Sequence, residues 1–126
     1  MDYNSKDMLR SCVIPVLLGD TFAAHLLAAK IYWRIGITSY ICDAKASLLD
    51  YLDPLSNFFS LVSKDDGDIV CEALGYLASN KEYLPIIIPC NGHYEAFVDE
   101  HRKFLEPRFI ISDKESFFNE PPMSIF

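Results

Sequence analysis

Two short polar turns hold the residue types best able to do chemistry, Gly19-Asp20-Thr21 and Asn91-Gly92-His93. The first follows the apolar residues Val13, Ile14, Val16, Leu17 and Leu18, the second follows the run Tyr83–Pro89, and each leads into a helical pattern. In such a turn a glycine permits a tight reversal, and Asp, Thr or Asn caps a helix whose first N–H groups point into the space above the strand. Those N–H groups and the helix field favour a carboxylate or another anion. Asp20, Thr21, Asn91 and His93 can add hydrogen bonds that orient a small polar molecule, although capping alone would also account for the Asp, Thr and Asn. Neither turn is a nucleotide fingerprint: Gly19-Asp20-Thr21-Phe22 has one glycine where G-x-G-x-x-G needs three.

Other reactive side chains carry weaker signals. Cys90 precedes the second turn, where a helix field would favour a thiolate, but no third group orients His93 beside it, so no catalytic residue is expected. Cys12, Cys42, Cys71 and Cys90 are about twenty to thirty residues apart with no C-x-x-C pair. They read as reduced, buried thiols rather than a metal set, and no metal ligand is assigned. His25, on the first helix, either faces the crevice between the turns or is satisfied in the core, and His101 is placed on the surface. Asp43 ends the second strand, where dinucleotide folds hold a ribose, but with two of the three glycines missing that role is not assigned. The pairs Asp65-Asp66 and Asp99-Glu100 read as solvated faces.

These turns need a framework that brings them together. An apolar run without polar alternation must be covered on both faces, as in a parallel sheet. The pattern predicts strands over Val13–Leu18, Thr38–Cys42, Asn57–Val62, Tyr83–Pro89 and Arg108–Ile111, the first beginning effectively at Pro15 because proline removes a ladder donor. Helices are expected over Thr21–Arg34, ended by Gly36; Ala46–Leu52, stopped by Asp53-Pro54; Ile69–Ser79, capped by Asp68; and Tyr94–Leu105, broken by Glu106-Pro107. The fold class is therefore α/β, a three-layer α/β/α Rossmann-like open sheet, mainly parallel, with five strands in the order 3-2-1-4-5. In that order the first and fourth strands are neighbours, and a ligand crevice opens where the order reverses. It should gather Gly19, Asp20, Thr21, Asn91, Gly92 and His93.

A chain of 126 residues with 51% hydrophobic content supports one core. The net charge of −7 and scattered basic residues disfavour nucleic acid and acidic membrane surfaces as partners, and no apolar run approaches the ~18 residues of a membrane span. Reduced thiols point to the cytoplasm. Residues 1–11 are a polar lead-in, 12–112 the domain, and 113–126 a tail in which Phe117, Phe118, Ile125 and Phe126 surround Pro121-Pro122. The tail reads as the start of a missing downstream domain, and the chain as an isolated or truncated one. A phosphoacceptor receiver would need paired acids after the first strand and an Asp ending the third, whereas Asp20 stands alone and the third strand ends Ser60-Leu61-Val62.

The segments VIPVLLGDTFAAHLLAAKIYWRIGI and YLPIIIPCNGHYEAFV, followed by LEPRFIIS, resemble the N-terminal, pre-ATP-grasp domain of ATP-grasp carboxylate–amine ligases, of the D-aspartate ligase-like and carbamoyl-phosphate-synthase-like group. The resemblance runs from about Ser11 to Ser112. It implies that ATP and magnesium belong to a following ATP-grasp domain, which activates a carboxylate as an acyl phosphate for attack by an amine. It also implies that this chain alone binds no cofactor and that Gly19, Asp20, Asn91, Gly92 and His93 form a substrate-facing wall for a small polar carboxylate or amine. Relatives often carry a second glycine or an acidic residue where this chain has Gly-Asp-Thr-Phe and Cys-Asn-Gly-His, so the ligand is expected to differ. The alternative is a free-standing ligand-binding or dimerisation module, such as a homodimer.

Overall fold

The computed structural model describes residues 13–79 and 83–113. The expected lead-in, Cys12 and the aromatic tail lie outside the described residues. Five strands form one all-parallel sheet in the order β3-β2-β1-β4-β5, the order expected from the sequence. They are β1 (Val13–Leu18), β2 (Ser39–Asp43), β3 (Ser56–Ser60), β4 (Leu84–Pro89) and β5 (Ile110–Ile111). Helices α1 (Phe22–Ile35), α2 (Leu48–Leu52), α3 (Gly67–Leu77), α4 (Gly92–Glu100) and α5 (Arg102–Leu105) connect them. None of these helices is long and apolar enough to cross a membrane.

The central strands are apolar throughout because each of their faces has a helix to meet. β1 and β4 pair from Val13↔Leu84 to Leu18↔Pro89. Alternate side chains on a strand point to opposite faces, so the two strands feed two cores. Val16, Leu18 and Ile87 pack with Val70 and Leu74 of α3 and with Tyr94, Phe97 and Val98 of α4. Leu17 and Ile88 pack with Ala24, Leu27, Ala28 and Ile31 of α1. Each fully buried Leu or Ile contributes about 1.5–3 kcal/mol relative to exposure, which holds the strand ends and their turns in fixed register.

The boundaries move where local chemistry outweighs pattern. β1 starts at Val13 with Pro15 inside it. The β1–β2 ladder begins only at Val16↔Tyr40, so at Pro15 the strand is paired on the β4 side alone and the missing donor is tolerated. Asp66 rather than Asp68 caps α3, accepting from the N–H groups of Asp68 and Ile69. The third strand stops at Ser60, and Val62 takes a left-handed conformation with φ 71°. The last helix breaks at His101 into α4 and α5. Helix α2 has no buried residue and leaves Leu48, Tyr51 and Leu52 exposed.

Candidate functional site

The reversal of strand order brings the two glycine-containing turns into contact. Gly19 N–H donates to Cys42 O at 2.8 Å, and Cys90 N–H donates to Leu18 O at 2.8 Å, so both turns are fastened to neighbouring strand ends. Gly19 has φ 110°, and a Cβ there would lie 2.8 Å from Asn91 Nδ2. The position therefore requires glycine both for its conformation and for the approach of Asn91. Thr21 Oγ1 accepts from Ala24 N–H at 3.1 Å, and Asn91 Oδ1 accepts from Tyr94 N–H at 2.9 Å, so both side chains act as helix caps. Open space surrounds the Cα of Gly92 at the start of α4.

Asp20 and His93, expected in one crevice, turn to opposite sides of this contact. His93 Nε2 lies 3.0 Å from Lys64 O, and its ring meets Tyr94 edge-on. It lines an open groove of about 780 Å³ with Lys64, Asp65, Asp66, Asp68, Glu100 and His101, between the β3–α3 loop and α4. Asp65 and Asp66 are exposed, as a solvated pair should be, and line this open groove. His101 is half-buried, stacks on Phe97 at 4.5 Å and meets Phe97 O through Nδ1 at 2.9 Å.

Asp20 is drawn to α1 and α2. Its Oδ1 lies 2.8 Å from His25 Nε2, while His25 Nδ1 lies 2.6 Å from Asp53 Oδ2. Ser47 N–H donates to Asp20 Oδ2 at 2.9 Å and to Asp50 Oδ2 at 2.7 Å. Asp50 Oδ1 is 3.3 Å from His25 Nε2 yet receives no hydrogen bond among the described residues. The side chains of Asp20, His25, Asp50 and Asp53 are 3%, 8%, 7% and 13% exposed, so three carboxylates meet one imidazole almost out of water. Asp53 also accepts from Leu55 N–H and Ser56 Oγ, each at 2.8 Å.

Burial disfavours the charged imidazole of His25, but the hydrogen bonds to Asp53 and Asp20 outweigh it and raise its pKa. Burial likewise opposes ionisation of Asp20 and Asp53. In Asp20 the hydrogen bonds with Asp50, His25 and Ser47 reverse the balance and lower the pKa, and in Asp53 those from His25, Leu55 and Ser56 do so. Asp50 goes the other way, raised by burial and by its bond with Asp20. The contacts thus favour a charged imidazole between Asp20 and Asp53 and disfavour ionisation of Asp50.

Asp43, the last residue of β2, ties the pieces together. Its Oδ2 accepts from Asp20 N–H at 2.9 Å, and its Oδ1 accepts from Ala44 N–H at 2.7 Å and Tyr94 Oη–H at 2.9 Å. Both oxygens are thus engaged within the fold, which accounts for an acid at this strand end without a ribose. Burial, reinforced by Asp43, pushes the Tyr94 phenol well above its ordinary range. Burial also raises the thiols of Cys42 and Cys71, opposite to the shift that activates a nucleophile. Cys90 is buried, with its thiol 3.5 Å from Ile88 O.

Sequence reasoning singled out Asp20 and left His25 between two roles, while Asp50 and Asp53 passed as part of a helix and its stop. No spacing rule marked them, since Asp50 lies on the helix and Asp53 is the extended residue that ends it. Compared with known protein families, with curated proteins and with solved structures, the chain matches none.

Proposed function

We propose that this chain is a non-catalytic, substrate-side domain of an ATP-grasp carboxylate–amine ligase, and that it receives a small molecule bearing a carboxylate and an amine. The carrying observation is the groove between the β3–α3 loop and α4, where His93, in the first turn of α4, faces Asp65, Asp66 and Asp68. Backbone N–H groups at a helix start suit a carboxylate, and an acidic wall suits an ammonium group. The 3-2-1-4-5 parallel sheet supports the reading, because ligands of open α/β sheets bind beyond the carboxyl ends of strands at such a reversal. ATP and magnesium belong, in this reading, to a downstream ATP-grasp domain.

The test is an NMR titration of the isotopically labelled chain with aspartate as the zwitterionic probe, with ATP and magnesium in a parallel arm. The amides of Gly92, His93 and residues 65–68 should shift with aspartate, and ATP should remain intact. ATP hydrolysis that disappears on His93→Ala or Asp20→Asn would overturn the non-catalytic assignment. A second reading, a module that associates with a copy of itself, is favoured by the exposed apolar side chains of Phe22, Leu26, Leu48, Tyr51 and Leu52 on α1 and α2. Light scattering on the purified chain separates monomer from dimer.

A further inference from the structure

Three carboxylates around one histidine form a more particular arrangement than an acidic patch. One ligand atom from each of Asp20, His25 and Asp50 lies within 4.8 Å of the others. His25 Nε2 is 2.8 Å from Asp20 Oδ1 and 3.3 Å from Asp50 Oδ1. Metal bonds of about 2.0–2.2 Å at tetrahedral or octahedral angles space their ligand atoms by roughly 2.8–3.6 Å, a range that holds both distances. Asp50 Oδ1 is the telling atom: it is buried, receives no hydrogen bond among the described residues, and points at the imidazole nitrogen. His25 Nε2 at 3.3 Å offsets its charge without hydrogen-bonding it, a lack that a bound ion would make good.

The outer contacts already hold each of the three side chains in a ligating pose. Asp53 Oδ2 is 2.6 Å from His25 Nδ1, so Nε2, which faces Asp20 and Asp50, is the nitrogen that would give up its proton to an ion. This is the carboxylate–histidine pairing that orients metal-bound imidazoles. Ser47 N–H holds Oδ2 of both Asp20 and Asp50, which turns their Oδ1 atoms inward. Leu55 N–H and Ser56 Oγ in turn fix Asp53. The ligands come from the β1–α1 turn, α1 and α2, so an ion would fasten these three segments, with the α2–β3 link as an outer support.

We propose that Asp20, His25 and Asp50 bind a divalent first-row transition ion, of the Mn²⁺ or Zn²⁺ kind, with Asp53 and Ser47 positioning the ligands. One imidazole nitrogen and two carboxylate oxygens suit such ions better than Ca²⁺ or Mg²⁺, which take oxygen ligands throughout. The remaining coordination positions go to water or to an incoming polar group. The site lies on the α1–α2 side of Gly19, away from the His93 groove, and stands independently of the ligase reading.

The experiment uses Mn²⁺, which has little affinity for thiols. Calorimetry should give one Mn²⁺ per chain, and substoichiometric Mn²⁺ should selectively broaden the ring protons of His25 in the NMR spectrum. Asp50→Asn, which keeps the side-chain shape, should weaken binding by more than tenfold, and Asp53→Asn by about 10–100-fold. The broadening in the unaltered chain locates the ion even if a variant is unstable. Broadening confined to residues 65–68, or a sharp His25 ring at millimolar Mn²⁺, would overturn the proposal.

Discussion

Replacing His25 with leucine keeps a side chain of similar bulk on α1 but leaves Asp20, Asp50 and Asp53 facing one another without the imidazolium. The two hydrogen bonds lost measure 2.6 and 2.8 Å, and each joins charged partners of which His25 is 8% exposed. Bonds to charged groups contribute about 1.5–3 kcal/mol each, and removing one partner of a buried ion pair costs about 3–5 kcal/mol. The predicted loss is therefore about 3–5 kcal/mol, a large share of the roughly 5–15 kcal/mol that holds a domain together. Urea denaturation followed by circular dichroism, with a chelator present to keep the cluster metal-free, measures it.

The pH dependence has a defined sign. A histidine whose pKa is raised on folding stabilises fully below its ordinary value of 6.5, and that stabilisation fades as pH rises through the folded value. Asp20 and Asp53, lowered on folding, stabilise above their ordinary value of 3.8 and lose that contribution as pH falls through their folded values. Asp50, raised on folding, favours the fold when protonated and loses that contribution as pH rises through its folded value. The gap between the two proteins should thus be widest between pH 3.8 and 6.5 and narrow in alkali. A gap below about 1 kcal/mol, or one that stays flat into alkali, would refute this account of the cluster.

Two further substitutions probe the backbone around the site. Gly19→Ala places a methyl group 2.8 Å from Asn91 Nδ2 at φ 110°, and should lower stability by about 1–3 kcal/mol while shifting the Asn91 side-chain amide resonances. Val62→Asn relieves a β-branched residue at φ 71° on an exposed segment, and should raise the urea midpoint by an amount equivalent to about 1 kcal/mol.

The sheet order was readable because Val13–Leu18 and Leu84–Pro89 lack polar alternation, and only a sheet covered on both faces can bury such runs. The contact between Gly19 and Asn91 follows from that order. The partners of Asp20 and His93 do not, because they depend on which way a short loop leaves the sheet. Ser47–Ser56 folds over α1 and captures Asp20 through Ser47 N–H, whereas Lys64 O draws His93 toward α3. Periodicity marks buried helix faces, and α2 has no buried residue to mark. Its attachment is polar, through Asp50 and Asp53, and isolated acids in a short segment look like any solvated helix.

The most direct test of the proposed role is the map of amide shifts when aspartate is titrated into the labelled chain. The account predicts a saturable change centred on Gly92, His93 and residues 65–68, with ATP and magnesium left unhydrolysed in the parallel arm. Saturable shifts that leave those residues untouched, or no shift at all at millimolar aspartate, would contradict it.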